Sequence, residues 1–316
     1  MALSVTQIVA TTLDYQAKEI SDAVINNNAL SAWLKASNRV RVVKGAKTFH
    51  EKIMYSEANS FDWIDKDTEI PLTTSDFLTD AEFGIKILAG PVKVLHFDKM
   101  RAQGDQQIID LVEATVENAK TTMSNKMGAA VFSDGTNTKT IGGVQQLISA
   151  TAGQTVGGIS SSDYSWWENQ RNTTGTATFN TNQAGIKMFN DMISDCAGND
   201  HDRPDVIVTT SDIWSLYQLS TTNVTRLLDT RIGSLGYRAL DFMGTPIIWD
   251  YNCPAGYAYF INSRYMFLRI LEGGEFVTSD FERVQGQLAD YATMHFYGNL
   301  TVNNRKKLGV ITSITG

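Results

Sequence analysis

Apolar and polar residues alternate in two stretches of the chain. From 47 to 57, Phe49, Ile53 and Tyr55 alternate with Thr48, His50, Lys52 and Ser56, and from Glu82 onward Phe83, Ile85 and Ile87 alternate with Gly84 and Lys86. A period of two predicts strands, here the two legs of an extended arm. Val92 and Val94 prolong the returning leg past Gly90-Pro91, where proline's missing donor predicts a bulge or bend. Between the legs, Phe61, Trp63 and Ile64 sit among Asp62, Asp65, Asp67 and Glu69, an apolar tip with a charged rim. A lone two-stranded hairpin is marginal in water, so the arm is expected to rest on the fold or on another subunit, the second being preferred.

The pattern then changes period. Gly104-Asp105 supplies an N-cap, and Ile108, Val112, Val116, Ala119, Met123, Met127 and Val131 recur at helical spacing up to Ser133-Asp134-Gly135. At about 1.5 Å per residue this helix is roughly 40 Å long. Gln106, Asp110, Glu113, Glu117, Lys120, Asn125 and Lys126 mark its polar face; no sustained heptad partner exists, which disfavours a coiled coil. Further on, Ile186, Phe189, Ile193 and Ala197 predict a helix, and the apolar run Val206-Ile207-Val208 a buried strand. Ser211 or Asp212 caps the following helix, which carries Trp214, Tyr217 and Leu219. Near the start, Ile8, Leu13, Ile20 and Val24 predict an amphipathic helix ended by Asn26-Asn27-Asn28.

The order of these parts resembles the major capsid proteins of tailed bacteriophages, which have the Hong Kong 97-like fold. An N-terminal helix, a long hairpin and a long helix ending in Phe132-Ser133-Asp134-Gly135 come first. Ile141-Gly142-Gly143-Val144-Gln145-Gln146-Leu147-Ile148, Val156-Gly157-Gly158-Ile159 and Trp166-Trp167 follow, then Gly244-Thr245-Pro246-Ile247-Ile248-Trp249 and Ala258-Tyr259-Phe260-Ile261-Asn262. The resemblance covers nearly the whole chain and implies an α+β fold divided into an N-terminal arm and helix (1–38), an E-loop hairpin (39–100), a peripheral domain with the spine helix (101–180), an axial domain (181–275) and a return to the peripheral domain (276–316). It implies a homo-oligomer of hexamers and pentamers that closes into an icosahedral shell. The partners it implies are a portal, a separate scaffolding protein, a decoration protein and packaged DNA contacted nonspecifically, with residence in the virion after assembly in the host cytoplasm. The arm-tip residues Phe61, Trp63, Ile64, Asp65 and Asp67 are then the expected contacts between subunits, and Ile108, Val112, Val116, Met123 and Met127 the core face of the spine.

Composition narrows the function classes. The 316 residues, 42% hydrophobic, suffice for a substantial core. A formal net charge of -7 argues against a protein whose main task is gripping nucleic acid, because nonspecific affinity comes from neutralised phosphates. Cys196 and Cys253, the two cysteines, read as free thiols in a reducing cytoplasm. The first basic residue is Lys18, so no targeting signal is expected, and no apolar run is long enough for a membrane span. Little length precedes the first helix for a fused scaffold segment, hence the expectation of a separate scaffolding protein or none.

The motifs of hydrolases, P-loop and dinucleotide-binding enzymes and zinc proteases are absent. No catalytic, cofactor or metal residues are expected. Asp200, His201, Asp202 and Asp205 crowd one loop, either for a cation or for turn chemistry, the second being preferred. Arg39, Arg41, Lys44, Lys47 and Lys52 punctuate the first leg of the arm, either meeting a neighbour or DNA or guarding a strand edge. Arg305-Lys306-Lys307 reads as a solvated run, and Trp166-Trp167 as a core or interface anchor. Some members of the resembled family bond an arm lysine to a neighbour's asparagine. Lys47, Lys52, Lys66 and Lys86, with Asn303 or Asn304 as acceptors, are the residues in the corresponding regions. The rival readings are an encapsulin shell around protein cargo and, more remotely, an α+β enzyme using His50, His96, His201 or His295.

Overall fold

The computed structural model describes residues 28–56, 65–66, 76–97, 105–173, 177–179, 184–220 and 240–315. Two mixed sheets with helices carry most of the core. The first is organised by the fourteen-residue strand Ala289–Val302. Along one side it takes the antiparallel strand Lys86–Leu95, in register from Ala289 opposite Leu95 to Gly298 opposite Lys86. Along the other it takes Met266–Leu271, then the short pieces Val277–Thr278 and Glu282–Arg283. Val40–Val43 adds in parallel outside Met266–Leu271. The long helix Asp105–Val131 lies against one face of this sheet. Val112, Val116, Met123, Met127 and Val131 pack into a cluster with Val92, Val94, Leu268, Ile270, Met294 and Phe296.

The second sheet runs in the order Leu240–Phe242, Thr245–Trp249, Val206–Thr209, Ala258–Ile261, Gly309–Ile311 and Gln170–Asn172. Its inner strands are buried on both faces, as their unbroken apolar runs require. One face packs on helices Ala184–Ala197 and Ser211–Ser220, where Phe189 meets Phe179, Phe242 and Phe260 edge-on at 5.4, 5.6 and 5.2 Å. From the other face Val206, Val208, Ile248, Tyr259, Ile261 and Val310 join the cluster under the long helix. No helix of the described residues is long and apolar enough to cross a membrane.

The arm departs from the sequence expectation in two ways. Its returning leg is two strands: Leu78–Gly84 pairs with Thr48–Met54, from Met54 opposite Leu78 to Thr48 opposite Gly84, and after Ile85 the chain leaves the hairpin to enter the first sheet. Both halves alternate with period two, so the switch leaves no mark in the pattern. Gly90-Pro91 makes no break in the register either. Pro91 faces Thr293, whose N–H donates to Ser279 Oγ and whose carbonyl accepts from Ser279 N, both at 2.9 Å on the far side. Proline costs no ladder bond where the opposite residue bonds elsewhere.

The turn after the long helix is set by backbone proximity. Ser133 Oγ donates to Ile141 O at 2.6 Å and accepts from Gly143 N at 3.1 Å. A Cβ on Gly143 would overlap the backbone N and O of Ser133 and the carbonyl oxygen of Ala130. Gly143→Ala is expected to cost about 3 kcal/mol, since backbone cannot swing aside as a side chain does. A lowered thermal midpoint with an unchanged far-UV spectrum below it would show this; an unshifted midpoint would show that the turn relaxes freely.

Candidate assembly surfaces

The root of the arm is fixed to its own chain. Phe49, Glu51 and Ile53 alternate inward and pack with Ala81 and Phe83, while Thr48, His50, Lys52 and Met54 alternate outward. Glu51 is buried and accepts two hydrogen bonds from Arg269, Nε to Oε1 at 2.7 Å and Nη2 to Oε2 at 2.8 Å, while Thr301 Oγ1 donates to Oε1 at 2.6 Å. Asn299 donates through Nδ2 to Gly84 O at 2.8 Å and accepts Gly142 N at 2.9 Å, and Glu82 N donates to Gly157 O at 2.9 Å. The preference for another subunit as the arm's support is therefore corrected for the root, which rests on the body of the same chain. Register alone cannot show this, because Glu51 looks in sequence like a solvated strand charge.

Beyond the root, the outward face turns apolar. Met54 is 74% exposed, and Phe77 and Leu78 are exposed too. Tyr55 stacks on Trp166 with ring centroids 5.2 Å apart, and exposed Tyr164 lies 5.7 Å from the same indole. Trp167 is wholly buried, its Nε1 donating to Val156 O at 2.9 Å. Of the expected tip contacts, Asp65 is exposed, whereas Phe61, Trp63, Ile64 and Asp67 lie outside the described residues. Of the spine set, Val112, Val116, Met123 and Met127 are buried. Ile108 belongs to the helix backbone, its side chain lying outside the description.

The loop carboxylates do structural work. Asp202 accepts from Tyr265 Oη at 2.6 Å, Asn262 Nδ2 at 3.0 Å and Arg264 Nη1 at 3.4 Å. Burial pushes its pKa upward, but the Tyr265 and Asn262 hydrogen bonds prevail and hold it below the usual carboxylate value. Asp205 accepts from Ser263 N at 2.8 Å and from Ser263 Oγ, and burial raises its pKa. Asp200 pairs with Lys307 at 3.2 Å. Among the described residues no group of three or more His, Cys, Asp or Glu side chains is placed to hold a metal. Burial raises the pKa of both thiols, Cys196 and Cys253, which makes them poor nucleophiles. The histidines sit on separate elements, His50 on the arm, His96 just past Lys86–Leu95, His201 in a left-handed turn and His295 on the long strand.

The basic run near the C-terminus is the sequence expectation that fails most clearly. Arg305 and Lys307 are buried and Lys306 is exposed. Arg305 donates to Leu147 O at 2.8 Å, Trp167 O at 3.0 Å and Asn169 Oδ1 at 3.0 Å. Lys307 Nζ donates to Ala197 O at 2.7 Å, at the end of helix Ala184–Ala197. A signal existed in Asn304, whose Oδ1 accepts from Lys306 N at 3.1 Å and starts a single 3₁₀ turn that sends alternate basic side chains inward. Of the lysines considered for a covalent link, Lys86 donates to Thr138 O at 2.5 Å, and Lys47, Lys52 and Lys66 are exposed.

The long hairpin, the helix lying along a sheet and the second, mixed sheet together make the Hong Kong 97-like capsid fold. Among solved structures the chain is similar to the capsid of cyanophage A-1(L), at 15% identity and a TM-score of 0.62 over 92% of this chain and 94% of that one. It is similar also to the SrpI encapsulin from Synechococcus elongatus PCC 7942, at 13% identity and 0.59 over 89% and 87%. The virus-like particle from Pyrococcus furiosus matches at 10% identity and 0.55 over 95% and 99%. No sequence-family model and no curated protein sequence matches the chain.

Proposed function

We propose that this chain is the structural major capsid protein of a tailed bacteriophage, assembling as hexamers and pentamers into an icosahedral shell around double-stranded DNA. The observation that carries the reading is the capsid fold extending over 92% of the chain, with the arm and the long helix among its elements. On this reading the division into N-terminal arm, E-loop, peripheral and axial regions holds, the shell is completed by a portal and assembled with a separate scaffolding protein, and a decoration protein binds outside. The chain's role is mechanical rather than enzymatic. Head-to-tail contacts close rings around five- and six-fold centres, and the arm straps adjacent copies.

The cellular-compartment reading is favoured by one observation, the likeness to the SrpI encapsulin, and the fold itself does not separate the two. Electron microscopy of the purified particles with a nuclease-protection assay does. Closed shells protecting DNA support the capsid; shells filled with protein support the compartment; soluble oligomers without shells under any assembly condition overturn both.

The arm tip gives a sharper check. Apolar burial contributes on the order of 25 cal/mol per Å² before association costs, and Trp63 offers the largest side chain there. Trp63→Asp is expected to lower shell yield about tenfold or more with the melting of the unassembled chain unchanged. Undiminished yield would remove the tip from the interface.

A further inference from the structure

Three guanidinium groups surround one buried phenyl ring on the arm side of the first sheet. Phe267 is 4% exposed; the guanidinium carbons of Arg41, Arg269 and Arg39 lie 4.5, 5.5 and 5.9 Å from its centroid. Arg41 is in register with Arg269 across the parallel strands. Only one of the three has a carboxylate: Arg269 holds Glu51. Among the described residues Arg39 and Arg41 pair with none, and Arg39 Nε is buried without any hydrogen-bond partner. Lys44, three residues on, is by contrast paired with Glu272 at 3.0 Å.

Two unneutralised guanidiniums on a preorganised aromatic base are unexpected in a chain of net charge -7. Stacking on Phe267 holds the cations in place, Arg41 exposed and Arg39 half-buried. A carboxylate supplied from outside can therefore give Arg41 the two-pronged contact that Arg269 already has with Glu51. We infer that Arg39 and Arg41 form the receptor for the acidic arm segment of a second copy of this chain. This inference rests on the shell reading given above.

The occupant follows from charge and from continuity. Residues 62–69 carry Asp62, Asp65, Asp67 and Glu69 against a single Lys66, and Asp65 is exposed. The neighbouring guanidinium, Arg269, already fastens the chain's own arm root through a carboxylate. The open pair therefore continues an existing arm-to-sheet contact toward the sheet edge, where Val40–Val43 pairs only with Met266–Leu271 among the described residues. An arm arriving from another copy meets there the chemistry that anchors the resident one.

A charge swap tests this. The Arg39→Glu/Arg41→Glu chain is expected to assemble into shells at least about tenfold less than the unaltered chain, through like-charge repulsion. Adding Asp65→Lys and Asp67→Lys to the same chain is expected to recover most of that loss. The milder Arg39→Gln/Arg41→Gln chain should fall between, with the melting of the unassembled subunit unchanged, which separates docking from folding. Undiminished assembly of the Glu variant, or no recovery on swapping, overturns the inference. So does normal assembly with reduced DNA retention, which would make phosphate the occupant. If the unaltered chain forms no shells, the shell reading falls and this docking with it; if it does and the variants behave like it, the docking alone falls.

Discussion

Replacing Arg305 by methionine is expected to remove about 4 kcal/mol of folding stability, a large part of the roughly 5–15 kcal/mol a domain possesses. The side chain is 1% exposed and serves three acceptors from two separate segments: Leu147 at the end of a short helix, and Trp167 and Asn169 ahead of the edge strand Gln170–Asn172. Asn169 in turn bonds the backbone of Ser149 in both directions, accepting from its N and donating to its O. Burial pushes the guanidinium down to about 10, which leaves it cationic at neutral pH. Methionine keeps much of the stem but strands the buried carbonyls of Leu147 and Trp167, each at about 1–3 kcal/mol before relaxation, and takes one of two donors from Asn169 Oδ1, which keeps Ser149 N. Lysine restores one point of donation and is expected to recover less than half of the loss, because its ammonium lacks the planar fork that reaches three directions. Lys306→Ala, one residue on and exposed, should stay within about 0.5 kcal/mol. Denaturant titration of the three variants under conditions that keep the chain unassembled would measure this. A methionine variant within 1 kcal/mol of the unaltered chain would mean that water satisfies those carbonyls equally well.

Arg305 also marks where sequence reading stops. Periodicity found the long helix, its buried stripe and the strand Val206–Thr209, because an amphipathic helix and an apolar strand write their environment into consecutive residues. The arm's two legs were legible for the same reason. What the pattern could not carry was partner identity. Glu51 and Arg269 are 218 positions apart, and nothing local to either marks it as half of a buried pair. The switch at Ile85 stayed hidden because period two continues through it while the pairing partner changes. The acidic loop shows the same limit: turn chemistry was the preferred reading of its carboxylates, but the turn that Asp202 and Asp205 hold is Asn262–Tyr265, about 60 positions away. Arg39 and Arg41 could be named from the sequence, but their convergence on Phe267 emerged only when two distant strands were placed side by side.

The second large effect is expected at the arm root. Glu51→Ala should cost about 3–5 kcal/mol, since it leaves Arg269, itself only partly exposed, without its carboxylate and leaves Thr301 Oγ1 only the longer contact to Phe267 O at 3.5 Å. The corresponding cycle with Arg269→Ala is expected to give a coupling of about 2 kcal/mol, because each single change already destroys the two-pronged contact. A more informative pair is Glu51→Met with Arg269→Met. Apolar replacement of a buried ion pair commonly restores or exceeds the original stability, so the subunit should again melt near the unaltered chain. Assembly should not recover in step. A bidentate guanidinium–carboxylate contact fixes the direction of the arm as well as its adhesion, and two flexible methionines permit a range of angles. On the proposed shell reading the arm meets a neighbouring copy beyond its root, so a change of angle at Glu51 is expected to misplace that contact. Stable subunits with shell yield reduced about tenfold or more would therefore show that the pair is kept for direction. Equal recovery of stability and yield would show that it serves adhesion alone.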